Sequence, residues 1–370
     1  MIRVLVVNTV AFTSNGISSI ILNTSLWMNR AGIELDFAAS GNSDAYYVEK
    51  FKQMGTSLYT FNKANPVKYI ASLFHLMRNR KYDIVHVHGN SAMMTPVLIA
   101  ALLAGIPVRI VHSHNTQTNH PIMHRLLYPL FSSLYTQAVA CGHKAGEWLF
   151  HKKPFVVLNN GIDMTKYKFC AAKRARMREE YRCADDTVYI HVGRFNANKN
   201  HVFLINVFDD LLRIKPNSKL ILVGTGDLYN IIVRCIKEKK LMQHIICVGE
   251  TDRVAELLMM ADCFVLPSVC EGLPVVLIEA QASGLPCYVS DHVPIESDKT
   301  NSLKFLEINT VQDIHTWVQN LSQVSAETDA KRMVKSQTNI ELLQRAGYDI
   351  RQVAKRLRDL YISSVLKENR

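Results

Sequence analysis

Glu271 and Glu279 stand eight positions apart in PSVCEGLPVVLIEAQASGLP, residues 267–286. Ahead of them, DCFVLPS is a short apolar run of strand character, and behind them an Ala-rich stretch of helical spacing stops at Gly284 and Pro286. The segment reads as strand, loop, helix. Pro274 suits a first helical turn, where its missing N–H costs nothing. The amides of Gly272 and Leu273 are then expected to point out of the helix N-terminus, an end that attracts anions. Glu271 falls at the mouth of that site and Glu279 a turn or more down the helix, so a ligand touching both must be long. A nucleotide sugar is long enough. Two solvated helix charges are the ordinary reading of such a pair, and the flanking residues argue against it.

Cations occur at a matching place upstream. Val192-Gly193-Arg194 ends an apolar run, and FNANKNH follows before a helix expected from about Val202. Arg194 and Lys199 thus share a strand-to-helix loop, where a planar fork and a mobile point charge can bracket a diphosphate. The next strand ends in Gly224-Thr225-Gly226-Asp227, a tight turn that lets backbone approach a ligand. No third glycine completes a dinucleotide fingerprint, which argues against a nicotinamide cofactor. In VGETDRVAELLMMAD a strand ends at Gly249 and a helix capped by Thr251 or Asp252 follows. Glu250 to Val254, Arg253 included, could frame a nucleobase.

His86 and His88 close one strand in the first half, and His112 with His114 closes the next. Each HxH pair alternates onto one sheet face. No Asp, Glu or Cys accompanies either pair at ligand spacing, so no metal is expected. Three of the four read as hydrogen-bonded structural histidines and one as facing the ligand.

The elements that must position these residues alternate from end to end. Strand-like runs fall near residues 3–9, 35–39, 58–61, 83–88, 109–114 and 138–141, then near 188–192, 219–223, 245–248, 263–266, 287–290 and 303–306. Two βαβ series imply an α/β protein with two Rossmann-like, doubly wound domains, whose ligands gather at the carboxyl ends of the strands. Residues 151–167 read as linker plus cleft floor, with the boundary near Gly161. The tail, residues 349–370, carries Ile350, Val353, Ala354, Leu357, Leu360, Tyr361 and Val365 on one helical face. It reads as a long closing helix, so the domains are 1–160 plus 349–370, and 161–348.

At 370 residues the chain exceeds one ordinary core. The opening MIRVLVVNTV is too short an apolar run for a signal peptide and reads as a buried strand. The longest apolar stretch, residues 95–108, is interrupted by Gly105 and Pro107 and falls short of a bilayer span. Eight cysteines are scattered without CxxC pairs, as expected of reduced thiols in a cytoplasmic protein. The formal charge is +11, and residues 1–165 hold fourteen Lys/Arg against seven Asp/Glu. Nucleic acid is not the expected partner, because no recognition helix, zinc-finger spacing or aromatic RNA-binding strand is present. An anionic membrane surface or a diphosphate-bearing lipid fits better, with mere solubility as the alternative.

Together, NGID (160–163), VGRFNANKNH (192–201), LVGTGDL (222–228) and the Glu-x7-Glu segment resemble the retaining glycosyltransferases of the GT-B fold, family 4, over essentially the whole chain. The second half, and YDIVHVHGN before VRIVHSHNT, look closest to bacterial exopolysaccharide and capsule transferases. The resemblance implies a nucleotide sugar on the C-terminal domain, an acceptor on the N-terminal domain, and a final helix crossing back to the latter. It implies that Arg194 and Lys199 neutralise the donor diphosphate, that Glu279 bonds the ribose, and that Glu271 contacts hydroxyls of the transferred sugar near the Gly272 and Leu273 amides. His114 matches the histidine facing the anomeric centre. Gly16 matches the second glycine of a Gly-Gly loop closing on the phosphates, and Asn15 stands where the first glycine is usual.

The implied reaction is transfer of a hexose or N-acetylhexosamine from a UDP-sugar to a glycan, polyprenyl-diphosphate-linked, with retention of configuration and without a metal cofactor. The protein would then work at the inner face of the cytoplasmic membrane as a peripheral enzyme. A GT-B-fold sugar-nucleotide epimerase and a non-catalytic partner subunit of an assembly complex are the alternatives. The Glu-x7-Glu helix and the Arg194 to Lys199 loop favour transfer.

Overall fold

The computed structural model describes residues 1–13 and 15–368 and divides into two compact units, Met1–Gly161 with Gly347–Arg370, and Ile162–Ala346. Of the closing helix expected over 349–370, Asn369 and Arg370 lie outside the described residues.

In the first unit, β1 (Ile2–Asn8), β2 (Ile33–Ser40), β3 (Leu58–Phe61), β4 (Ile84–Gly89), β5 (Val108–Ser113), β6 (Gln137–Ala140) and β7 (Val156–Val157) form a parallel sheet. Its order is β3-β2-β1-β4-β5-β6-β7. Parallel strands need helical crossovers on both faces, which is why Val4 to Val7 of β1 are buried without alternation. One face packs on Leu73, Leu98, Phe131 and Phe150. The other packs on Ile21, Leu22 and Phe51, and on Val353, Ala354, Leu357 and Tyr361 of the terminal helix Ile350–Glu368. That helix lies against Gly161, where a Cβ would come within 2.9 Å of the Ile350 Cα. Strand β7 lies inside the segment read as linker. Two residues are too short to show a period in sequence.

The second unit repeats the plan with β8 (Thr187–Val192), β9 (Ser218–Val223), β10 (Ile245–Gly249), β11 (Cys263–Leu266), β12 (Cys287–Ser290) and β13 (Leu303–Leu306). They run parallel in the order β10-β9-β8-β11-β12-β13. Asp262, just ahead of β11, accepts from Arg174 at 2.6 Å, from Arg178 at 3.2 Å and from the Val188 amide at 2.9 Å. It joins the helix Ala171–Glu180, which leads into β8, to the sheet. Arg332, 2 % exposed, donates to the carbonyls of Leu258, Ala261 and Ser283, where two helices end. It thereby satisfies orphan carbonyls and adds positive charge at helix C-termini. None of the described cysteines is in a disulfide, and no described helix is long and apolar enough to cross a membrane.

Strand register brings both histidine pairs together in the first unit, with His88 beside His112. The rings form a stack: His86 to His88 and His112 to His114 have centroids 4.2 Å apart, and His86 and His112 are parallel within 2°. His86 Nδ1 pairs with the Tyr361 hydroxyl at 2.7 Å, and His88 Nδ1 with His114 Nε2 at 2.8 Å. Among the described atoms, both ring nitrogens of His112, His86 Nε2 and His114 Nδ1 are buried without a partner. The expectation of three satisfied histidines therefore gives way to a half-bonded stack. Potential ligand nitrogens of His86, His88 and His112 lie within 4.8 Å of one another. A metal must lie in the plane of each imidazole that binds it, and nearly parallel rings do not share such a point. A cavity of about 20 Å³, bordered by His88, His112, Tyr361 and Asn159, has room for one water.

Burial pushes His86 and His114 down to about 3 and holds His88 and His112 well below the usual histidine range. They are neutral in the fold, whereas the unfolded chain takes up protons below about pH 6.5. Stability therefore rises with pH between the two values and is lost as pH falls below about 6.5. In urea melts from pH 7.5 to 5, His112→Leu should flatten that dependence by about 1.4 kcal/mol per pH unit. Identical slopes would refute the coupling. Asp262→Ala, which strands two buried guanidinium groups, should cost about 3–5 kcal/mol, read as a lowered urea midpoint.

Candidate active site

Strand β8 stops at Val192, and the Gly193 amide still donates to Val223 at 3.0 Å. Beyond it the chain turns through a single 3-10 turn, Ala197–Lys199, capped by the Asn196 side chain, which accepts from the Lys199 amide at 3.2 Å. This turn aims Lys199 back across the strand end. A Cβ on Gly193 would meet the Lys199 Cδ and Cε at 3.0 Å, so the bare glycine leaves a lane for the lysine stem. At its far end the ammonium donates to Glu271 Oε1. The two side chains are 16 % and 13 % exposed. Val269 donates to the Asn198 carbonyl at 2.8 Å, which ties the loop after β11 to the loop after β8.

The Glu-x7-Glu segment differs in detail from its sequence reading. Its helix is Val275–Ala282, and Pro274 is the N-cap, with ψ at 112°. The leading amides belong to Val275 and Val276, while Gly272 and Leu273 lie in the loop ahead. Proline's fixed φ is compatible with extended ψ as well as helical ψ, so it marks the start without deciding the residue. Glu279, partly buried, accepts from the Tyr167 hydroxyl at 2.6 Å. Burial raises its carboxyl above the usual range, against the pull of that hydrogen bond and of Lys166.

Gly224 and Gly226 serve a different close approach from the one expected. A Cβ on Gly224 would strike the Gly193 carbonyl, and one on Gly226 would lie 2.6 Å from the Phe195 carbonyl. The Thr225 carbonyl is taken by the Phe195 amide at 2.9 Å. Their space is filled by the neighbouring loop. Arg194 is exposed and lies 3.4 Å from Asp227. Glu250 is exposed. Arg253 is committed elsewhere: its guanidinium grips Glu180 at 2.7 and 2.8 Å and Glu256 at 3.0 Å. It also precedes the helix Val254–Met260 as its N-cap residue, with Thr251 bonding its amide at 3.1 Å. Nothing in local sequence revealed Glu180, which is seventy-three positions away.

In the first unit, Asn15 is the N-cap of the helix Gly16–Trp27, its Oδ1 accepting from the Ser18 amide at 3.0 Å. An Asn satisfies an orphan helix donor that glycine would leave open. Gly16 follows with no atom within 4 Å of where a Cβ would stand. His114 lies one residue beyond β5. Its Nε2 is engaged by His88 and its Nδ1 is buried, so neither ring nitrogen is offered outward. Tyr167 was not singled out in the sequence. The signal for it was Asp163, an N-cap bonding Thr165, which starts a one-turn helix with Met164 and Tyr167 on one buried face.

The ion pair and its flanking arginine thus lie at the carboxyl ends of β8 and β11, where the strand order reverses, and Glu279 follows on the helix after β11. Comparison with known proteins identifies the family of the chain. The family profile described as "Glycosyl transferases group 1" matches residues 173–333, and that described as "Glycosyltransferase Family 4" matches residues 14–166. EpsF of Bacillus subtilis (strain 168), named as a glycosyltransferase, is 30 % identical over 96 % of this chain and 95 % of its own. A UDP-Gal:alpha-D-GlcNAc-diphosphoundecaprenol alpha-1,3-galactosyltransferase of Escherichia coli is 28 % identical over 82 % of this chain and 81 % of its own. Among solved structures, HepE of Anabaena, crystallised with UDP and with UDP-glucose, superposes with a TM-score of 0.79 at 15 % identity. That match covers 98 % of this chain and 100 % of HepE. On the fold and the near full-length match to EpsF, the chain belongs to the GT-B glycosyltransferases of family 4.

Proposed function

We propose that the protein transfers a hexose or N-acetylhexosamine from a UDP-sugar to a polyprenyl-diphosphate-linked glycan, with retention, in capsule or exopolysaccharide synthesis. The observation that carries this reading is the Lys199–Glu271 pair laid over Gly193, with Arg194 beside it and Glu279 on the helix that follows β11. The second unit is the donor domain and the first the acceptor domain. The diphosphate outcompetes the single carboxylate of Glu271 for Lys199, and Glu271 is released to the hydroxyls of the sugar. Arg194, exposed and held by a long contact to an exposed aspartate, turns to the same diphosphate. As the glycosidic bond breaks, these fixed cations and the leading amides of the helix at Val275 stabilise the charge gathering on the leaving group. No metal is needed for that step. His114 is assigned to the anomeric centre, a role that requires its ring to leave the hydrogen bond with His88, and Asn15 and Gly16 to the loop closing on the phosphates. The Escherichia coli relative's UDP-galactose and undecaprenyl-linked acceptor, and the UDP-glucose held by HepE, support the class of donor and acceptor.

Membrane attachment is part of the same reading. In the helix Pro121–Leu134, Ile122, Leu126 and Leu130 recur at one-turn spacing and are 75 %, 69 % and 45 % exposed. Leu102 and Leu103, at the end of the helix packed beside it, are exposed as well. An apolar stripe on a unit with surplus positive charge suits the surface of an anionic bilayer.

Thermal stabilisation by a panel of nucleotide sugars should single out a UDP-sugar, and turnover of that donor should fall at least about 100-fold in folded Lys199→Ala. NMR of the product should show the donor's anomeric configuration. Undiminished turnover removes Lys199 from the mechanism, and an inverted product removes retention. Co-sedimentation with phosphatidylglycerol vesicles should fade at high salt and drop in Ile122→Asp with Leu126→Asp, since surface charge is screened over about 8 Å at physiological ionic strength. Binding that ignores both salt and substitution refutes the docking surface.

A further inference from the structure

Tyr167 ends the one-turn helix Met164–Tyr167 and is 7 % exposed. It is fastened twice to the helix that carries Glu279. Its hydroxyl donates to Glu279 Oε1 at 2.6 Å, and its carbonyl accepts from the Ser283 hydroxyl, one turn further on, at 3.0 Å. Two residues later the Phe169 amide donates to Ser336 Oγ at 3.0 Å, and that hydroxyl donates to the Ala282 carbonyl at 2.6 Å. The segment is therefore stitched along the length of the helix. A hydroxyl so held can restrain only what it touches, and it touches one oxygen of Glu279.

We propose that Tyr167 is a positioning residue for nucleotide binding, holding the Glu279 carboxylate ionised and in the one rotamer that leaves its second oxygen to accept from the ribose hydroxyls. The inference rests on the assignment of Glu279 to the ribose in the preceding reading. The chemistry is specific about protonation. A carboxylate can accept from the tyrosine and from sugar hydroxyls at once, whereas a protonated carboxyl turns one acceptor oxygen into a donor and replaces charge-assisted hydrogen bonds by weaker neutral ones. Burial works toward protonation. The groups opposing it are the Tyr167 hydroxyl and the Lys166 ammonium, and Asp163 is the further charge facing the tyrosine. Without the phenol, burial is resisted by Lys166 alone, and the carboxyl takes up its proton at higher pH.

Calorimetric titration of the full chain with UDP and with 2′,3′-dideoxy-UDP, from pH 5 to 8, separates the two ideas. Wild type should prefer UDP, and Glu279→Ala should bind the two alike. Tyr167→Phe should weaken UDP by about tenfold at pH 7, roughly the loss of one charge-assisted hydrogen bond. It should leave the dideoxy compound nearly unchanged and move the acid limb of UDP binding to higher pH. The unfolding midpoint of the free variant serves as the check that it is folded. Placing 3-fluorotyrosine at position 167 keeps the shape with a stronger donor and should move the acid limb to lower pH. Failure of wild type to bind UDP, or a Glu279→Ala variant that still prefers UDP, overturns the ribose assignment and the inference with it. Lost preference in Glu279→Ala, with preference and acid limb unmoved in Tyr167→Phe and in the fluorinated protein, overturns the inference alone.

Discussion

Every strand in both sheets is hydrogen-bonded to parallel neighbours only, and this single constraint organises each unit. A parallel neighbour cannot be reached by a hairpin. The chain must climb back along a crossover, helices fill both faces, and each strand delivers its following loop to the same edge. Adjacent in the second sheet are β9, β8 and β11, so loops whose contacting residues, Lys199 and Glu271, are 72 positions apart meet there. The bare backbones of Gly193, Gly224 and Gly226 let two of those loops pack at distances no side chain would permit. Lys199 depends on that packing for its path, and Glu271 is its partner only because β11 lies next to β8.

Both units keep neutral, desolvated histidines behind the sheet edge, His191 and His201 in the second, and they differ in what accompanies them. In the first, four imidazoles are stacked, desolvated and neutral, with Tyr361 of the terminal helix reaching in to pair with one of them. The second adds ionised groups that are paired: Asp262 with two arginines, Arg332 with three carbonyls, Lys199 with Glu271. A neutral stack asks little of its surroundings, while a buried charge demands a partner and good geometry. The difference suits a unit proposed to hold a diphosphate, whose charge must be met by cations already in place, and whose arrival changes a partner without creating an unpaired charge.

Much of the architecture was legible. Twelve of the thirteen strands among the described residues follow from apolar runs bounded by glycine, proline and polar residues, because a buried parallel strand has no polar face to disguise it. The seven apolar positions of the tail predicted a helix with one buried face, and five of them are nearly inaccessible. Errors cluster where a residue's role depends on a neighbour distant in sequence. Pro274 marked a helix start without fixing its register. Arg253 looked like a nucleotide ligand until Glu180 was found in its fork. Gly224 and Gly226 read as room for a ligand, and the room belongs to the backbones of Gly193 and Phe195. The two HxH pairs looked separate and satisfied, and strand register made them one stack.

Residue type and spacing by themselves determined the α/β class, the two series of parallel strands, the family resemblance and the placing of Arg194, Lys199, Glu271 and Glu279 in loops and helix ends after strands. These are local properties, set by backbone preference and by the period with which apolar side chains recur. Pairings were left to the tertiary structure: Lys199 with Glu271, Glu279 with Tyr167, Arg253 with Glu180, His88 with His114. A hydrogen bond or ion pair forms between atoms about 3 Å apart, and only the order of strands in a sheet and the packing of helices across it bring atoms from remote parts of the chain that close.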